Sequence, residues 1–393
     1  MSAKFPVITI QCDWNEVIKL PKCKAWISSK YLNQNSVHDE LRTSLNNSDG
    51  KIKIQFSDNY QYISHGNLSL VIKHISGLKA AFVAPTKAYK VHKKGVTTVS
   101  ASGTENALAI SACDGDQLLV WDSRTGEVML DLKGHGGPVY KSKFFNSGVV
   151  VISAGADGSC RIWSAETGVN PVTLIGHKLA ITDIAIVEVG RNVISVSKDG
   201  TAKLWDVGQA ACLANIVEGH GQINCCTLTT TDDVPVDNER EVGTSNKLLI
   251  IGCESGLVIG AHVAKREEVF RKQMDSACNA CIVVGQNAII GCSSGKIMLL
   301  NLQNGELGEL HESASPVLSM VTLPNQMFAV GRQDGTCTVM SLHEAHGATR
   351  VQLTGSDCDG IRDLAFNGKW IFAACRDCNV RKYDFNQVIV HFK

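Results

Sequence analysis

The chain has 393 residues, with 38 basic side chains against 38 acidic, 44% hydrophobic residues, 6% aromatic residues and 35 glycines. Such a length suits one large repeat domain or two ordinary ones. The charge balance argues against a general nucleic-acid binder, whose phosphate contacts need a basic surplus, and the glycine-rich, aromatic-poor composition suits many short strands joined by tight turns.

The start, MSAKFPVITIQCDW, has one early lysine but no apolar core of signal length. No run of about 18 apolar residues suggests a membrane span. The 15 cysteines fall mostly in apolar runs, as at Cys253, Cys292 and Cys375, and read as small reduced core residues. A cytosolic or nuclear protein is expected.

Residues 1–84 repeat nothing else in the chain. SSKYLNQNSVHDELRTSLNNSDG (28–50) is polar and turn-rich, whereas IKIQFS (52–57) and LSLVIKHI (68–75) read as strands. A small, separate β-rich N-terminal module over 1–84 is expected, followed by a second unit over 85–393.

That second unit is periodic. Serines fall at 111, 153 and 195 and tryptophans at 121, 163 and 205, both in steps of 42. Histidines at 92, 135, 177 and 220 step by 43, 42 and 43. Self-similarity at this period marks a β-propeller with one four-stranded blade per repeat. The apolar faces of neighbouring blades stack, so a single blade is not stable alone. The pattern decays after blade three, but turn positions Gly256, Gly295, Gly335 and Cys378 continue it at 39, 40 and 43 residues. Counting turns gives seven blades, an all-β seven-bladed propeller. The interval of 56 from Gly200 to Gly256 places an insertion in blade four, TTTDDVPVDNEREVGTSN (229–246), expected to be an exposed loop. Each Gly-His follows an outer strand, and Pro85–Val91 holds that place before His92. Its register favours pairing with the last blade to close the ring; the strand-like tail Gln387–Phe392 competes for the same place.

In SVSKDGTAKLWD (195–206), Ser195, Asp199 and the preceding His177 have the residue types of a hydrolase triad. Trp205 and the recurrence decide otherwise. The set His177, Ser195, Asp199 and Trp205 returns in blade two as His135, Ser153, Asp157 and Trp163. A catalytic triad has no reason to recur at a fixed step. A chain of hydrogen bonds from Trp to Ser to His to Asp satisfies every member of a buried group and braces a blade. No G-x-S-x-G surrounds Ser195. Blade one aligns Ser111 and Trp121, but Gly115 stands at the turn aspartate's place; Asp114 or Asp116 is expected to serve instead. Blades four to seven have Ala261, Leu300, Met340 and Tyr383 at the tryptophan position, and must rely more on packing.

Other chemistry is weakly signalled. The C-x-x-C pairs Cys278/Cys281 and Cys375/Cys378, and the neighbours Cys225/Cys226, read as core thiols rather than zinc ligands. No phosphate-loop motif occurs, and the lysines of KAYKVHKK (87–94) suit a solvated strand edge. No metal, cofactor or catalytic constellation is expected. The turns and inter-blade loops share one rim of the ring, where Asp114, Asp116, Asp157, Lys198, Asp199, Glu254, Arg332, Asp334, Arg376 and Asp377 fall. Asp116, Glu254, Arg332, Asp334, Arg376 and Asp377 are the partner-binding candidates, because no tetrad claims them, save that Asp116 is also one of the two acids open to the blade-one histidine.

The G-H…S-x-x-x-D-G…W-D repeats resemble those of WD-repeat propellers over about residues 85–393. GRNVISVSKDGTAKLWDVGQAACL (190–213) and NEREVGTSNKLL (238–249) resemble more narrowly the proteasomal ATPase-associated factor 1 family. LTGSDCDG (353–360), AACRDCNVR (373–381), Trp14 and Ala25-Trp26 are similar to it as well, with Cys378 standing where the family has Gly. The resemblance implies a non-enzymatic proteasome assembly chaperone. It would bind the C-terminal domain of an ATPase subunit of the regulatory particle base and restrain premature docking on the core particle. Neither nucleic acid nor membrane is implied as partner, and a monomer is expected. A generic WD-repeat scaffold, or a substrate adaptor of a ubiquitin ligase, is the alternative.

Overall fold

The 42-residue step of the sequence becomes a four-stranded antiparallel sheet repeated around a ring. The computed structural model describes residues 6–32, 34–46, 51–236, 238–343 and 349–392. Seven blades stand among them, with inner strands Val96–Ala101, Val139–Phe144, Ile181–Val187, Ile223–Thr230, Cys278–Val284, Val317–Leu323 and Ile361–Phe366. The inner strands touch in chain order, and the last touches the first. Second strands are almost wholly buried, as in Asn192–Ser197 of blade three, because they are sandwiched between neighbouring blades.

The N-terminal residues are β-rich, but they are not a separate body. Strands β1 (Val7–Ile10), β2 (Lys24–Lys30), β3 (Val37–Leu45) and β4 (Ile52–Phe56) form one antiparallel sheet, with the short helix α1 (Trp14–Val17) between the first two. Strands β5 (Tyr60–His65), β6 (Ser69–His74) and β7 (Lys79–Val83) instead continue blade six, giving a seven-stranded sheet. Strand β7 runs parallel to the blade's outer strand Thr349–Leu353, with Arg350 opposite Ala80 and Leu353 opposite Val83. Its alternation divides two cores. Ala80 and Phe82 pack with Trp14, Ile27, Leu41 and Leu70, while Ala81 and Val83 pack with Val339, Val351 and Ile371 of the propeller. A strand buried on both faces reads as an unbroken apolar run, so its sequence does not disclose that it faces two partners.

The ring closes as the register favours. Strand β8 (Lys87–Tyr89) pairs antiparallel with Val380–Lys382, supplying the fourth strand of blade seven. Tyr89 also packs on Trp121 of blade one at a centroid distance of 4.9 Å. The tail does not compete. Phe385–Ile389 forms a helix, α2, capped by the Asp384 carboxylate accepting the Asn386 N–H at 2.9 Å, and a short 3₁₀ turn follows. Phe385 and Val388, three residues apart, bury one side of that helix.

The turn glycines meet a backbone demand. Gly200 has φ +81°, and a Cβ there would stand 2.9 Å from the Gly221 carbonyl oxygen. In the last turn Cys378 holds φ +70° without being glycine. The substitution flagged in the sequence is therefore accommodated in the same left-handed conformation, at a conformational cost of about 1 kcal/mol.

Candidate interaction face

The two complete tetrads form as the spacing requires. In blade three the Trp205 indole N–H donates to Ser195 Oγ at 2.8 Å, and Ser195 Oγ lies 2.7 Å from His177 Nε2. His177 Nδ1 lies 2.9 Å from Asp199 Oδ2, which also accepts the Lys178 N–H at 2.8 Å. Thr201, which the sequence reading passed over, donates its hydroxyl to Asp199 Oδ1 at 2.6 Å. Blade two repeats the chain through Trp163, Ser153, His135 and Asp157 at 2.8, 2.7 and 2.9 Å. Ser153 and Ser195 are fully buried. A nucleophile needs access to its substrate, and these hydroxyls have none. Burial pushes Asp199 up, but Thr201, the Lys178 N–H and His177 outweigh it and hold the carboxyl at about 2. Burial also pushes both histidines below their ordinary value, so each tetrad holds a neutral imidazole.

Blade one departs from expectation. His92 Nε2 reaches Ser111 at 2.8 Å and Trp121 donates to Ser111 at 3.0 Å, but neither Asp114 nor Asp116 meets the histidine. Asp114 pairs with Arg362 of blade seven at 2.5 Å, and Asp116 is exposed. Gly115 occupies the place of the turn aspartate, so the acids on either side project elsewhere. His92 Nδ1 is left buried without a hydrogen-bond partner. Burial lowers its pKa to about 4.

Each inter-blade loop is tied to the turn of the blade it leads into. The Gly136 N–H donates to Asp157, the Glu254 N–H to the Gln222 carbonyl, and the Arg376 N–H to the Gly360 carbonyl. These bonds assemble one loop face. Asp116, Glu254, Asp334 and Arg376 are exposed on it. Exposed Lys93, Lys94, Lys178 and Lys198 lie with blades one to three beside exposed Asp114, Asp116 and Asp157, and exposed Glu218, Glu254, Asp275, Asp334 and Asp357 lie with blades four to seven beside exposed Arg376. The face thus carries charges of both signs.

Two of the candidate residues are committed elsewhere. Arg332 is only 3% exposed and donates to the carbonyls of Gly295 at 2.9 Å and Ser315 at 2.8 Å. It pins blade six to blade five, and its side chain is not presented to a partner. Asp377 forms a two-point ion pair with the buried Arg381. Burial opposes its charge, but Arg381 prevails and holds the carboxyl below the usual range. Position in a turn identified both residues; the direction of the side chain decided their use.

The blade-four insertion joins the first and second strands, so it lies at the opposite face from these turns. It is not a loose loop. Arg240 pairs with the buried Asp206 at 2.8 Å, the Val242 N–H donates to the buried Asn192 at 2.6 Å, and Asn192 donates to the Arg240 carbonyl at 3.0 Å. Glu241 pairs with Arg266 at 2.5 Å, Lys247 pairs with Glu188 at 2.9 Å, and Thr244 is fully buried. The insertion is a clasp between blades three and four.

Around the axis, a cavity of about 280 Å³ is lined by inner-strand residues including Tyr140, Lys141, Asp183, Cys225, Cys281 and Asp363. Lys141 pairs with Asp363 at 2.7 Å, and Asp363 also accepts the Thr98 hydroxyl at 2.7 Å. Burial disfavours the Lys141 charge, but Asp363 and Asp183 outweigh burial and raise its pKa. Polar groups in the cavity are thus partnered across blades. The described cysteines are all free thiols, and most, including Cys225, Cys226, Cys278, Cys281 and Cys375, are buried.

A closed ring of four-stranded blades with Trp–Ser–His–Asp braces defines a WD-repeat β-propeller. The WD domain, G-beta repeat family matches residues 126–164, 168–206 and 347–384. The chain is 34% identical over 394 residues to proteasomal ATPase-associated factor 1 of Gallus gallus, spanning 97% of this chain and 99% of that protein. It is 34% identical over 396 residues to the Homo sapiens protein of the same name, with the same shares covered. Against the probable proteasomal ATPase-associated factor 1 of Dictyostelium discoideum it is 31% identical over 412 residues, 96% of each. The chain belongs to the proteasomal ATPase-associated factor 1 family.

Proposed function

We propose that the chain is a non-enzymatic assembly chaperone of the proteasome. In this reading it binds the C-terminal domain of an ATPase subunit of the regulatory particle base and delays engagement with the core particle. The single observation that supports the reading is end-to-end similarity to relatives named for association with proteasomal ATPases. The reading needs a broad rigid face and no cofactor. A loop face that carries charges of both signs suits it, because rim charges steer and select partners more than they supply affinity. In this reading Asp116, Glu254, Asp334 and Arg376, which are exposed, would do so. The protein would act as a monomer in cytosol or nucleus, on protein rather than nucleic acid or membrane.

The deciding experiment is a pull-down of the isolated C-terminal domains of the six proteasomal ATPases by the full chain. Capture of one or more domains is expected, weakened when Glu254→Lys and Asp334→Lys are combined. Capture of none overturns the reading. Capture undiminished by the double variant moves the contact off this face.

A further inference from the structure

Where the N-terminal sheet meets blade six, a narrow cavity of about 30 Å³ remains. Val7, Ile8, Leu78 and Ala80 line it from the N-terminal side. From the propeller side come two guanidinium groups, Arg332 and Arg350, together with His311. Arg332 spends Nη1 on the carbonyls of Gly295 and Ser315, and its Nη2 is buried with no hydrogen-bond partner. Arg350 donates from Nη1 to the Pro6 carbonyl at 3.2 Å. Among the described residues neither guanidinium forms an ion pair, and none of the cavity's lining residues carries a carboxylate. The charge of Asp334 acts on Arg332 from outside the lining and does not outweigh the burial of that guanidinium, and its Oδ1 accepts from the N–H and hydroxyl of Thr336, at 3.0 and 2.7 Å.

Two desolvated like charges facing one cavity are costly unless a counter-charge joins them. His311 does not add a third: burial and the two arginines push its pKa down to about 3. Hydroxyls of Ser313 and Thr338 and the Gln352 amide line the same space and can donate to an anion. Size limits what fits. A water needs roughly 10–15 Å³, so the cavity has room for a monatomic anion.

We propose that Arg332 and Arg350 hold a chloride ion that neutralises the junction between the N-terminal strands and blade six. The site makes docking of those strands depend on the anion. Loss of the ion would leave two arginines repelling one another beneath β1 and β7.

Two measurements on the full chain test this. Crystals soaked in sodium bromide should show an anomalous peak at hydrogen-bond distance from Arg332 Nη2 and the Arg350 guanidinium. Thermal midpoints should rise by roughly 1–2 °C per tenfold increase in potassium chloride above matched potassium gluconate. The rise should vanish in Arg350→Gln, which removes one charge and leaves the Arg332 bonds to the blade carbonyls intact. Arg332→Gln should behave alike, and if it does not fold, Arg350→Gln and the bromide peak still decide. Absence of the peak, or equal midpoints in the two salts, overturns the proposal. A peak with salt-insensitive midpoints overturns it too, since that reports binding at crystal concentration only.

Discussion

Trp14 donates its indole N–H to the Thr354 hydroxyl at 2.8 Å, joining residues 340 apart in the chain. Thr354 also donates to the Val83 carbonyl from its N–H at 2.8 Å, and its own carbonyl accepts the Tyr383 hydroxyl at 2.7 Å. One threonine therefore ties α1, β7 and blade seven together. Trp14 is fully buried. Trp14→Ala should destabilise the chain by about 3–5 kcal/mol, as for other buried tryptophans. Trp14→Phe should cost less, keeping much of the buried area while leaving the Thr354 hydroxyl one partner short. Urea unfolding of the two variants separates packing from hydrogen bonding; equal stability of Trp14→Ala and wild type would show that the N-terminal strands do not support the ring.

The tetrads make a second prediction, opposed to chemistry. Ser195→Ala leaves the Trp205 N–H and a His177 nitrogen buried and unmatched, and should cost about 1–3 kcal/mol. Ser153→Ala should cost a similar amount, and the double variant the sum, because each serine serves its own blade. An acyl-directed serine probe should leave Ser195 unlabelled, in keeping with its burial. Labelling of Ser195 in the folded chain would revive the hydrolase reading.

The periodic part of the fold was legible because its signal is chemical and repeated. Ser, His and Trp at a fixed step name the blade, and the aspartate completes it wherever a glycine lets the turn close the same way. Blade one breaks this at Gly115, and there the assignment of Asp114 or Asp116 failed. Arg332 was misplaced for a related reason: its sequence neighbourhood is a turn, yet its carbonyl partners, Gly295 and Ser315, lie 37 and 17 residues away. Strand β7 was unreadable as a bridge because KAAFV shows one continuous apolar run to two different cores. The segments 190–213 and 238–249 stand apart in the sequence and share only a family resemblance. In the structure they are one device, since Asn192 of GRNVI bonds both Arg240 and Val242 of EREVGT.

That device yields a third prediction. Asp206 is 2% exposed and Arg240 is its cationic partner. Arg240→Ala would leave a buried carboxylate beneath the insertion, a change that costs about 3–5 kcal/mol when a pair is fully buried. Here the arginine is 43% exposed, so water tempers the loss to roughly 1–2 kcal/mol. The local effect should exceed the global one. Limited proteolysis should cut within 231–246 in Arg240→Ala before it cuts wild type, with the rest of the ring intact. Identical cleavage patterns would mean that Asn192 and Glu241 hold the clasp unaided.

The final prediction concerns acid. The folded state keeps His92 neutral, with its pKa lowered by burial from 6.5 to about 4, and its Nδ1 lacks the aspartate that serves blades two and three. A histidine whose pKa is lower in the folded chain binds its proton more readily when unfolded. Stability is therefore whole above 6.5 and falls as pH drops toward 4, by about 3 kcal/mol from this residue. His135 and His177 are also lowered and add to the same slope. Asp199 acts in a separate window. Its folded pKa of about 2 lies below its ordinary 3.8, so its contribution is present above 3.8 and disappears only as pH falls toward 2. Urea midpoints followed downward from pH 6.5 should therefore decline well before the carboxylates titrate, and His92→Gln should flatten that decline even if it lowers the midpoint throughout. An unchanged slope in His92→Gln would assign the acid sensitivity to the other histidines whose pKa burial lowers, His135, His177 and His311 among them.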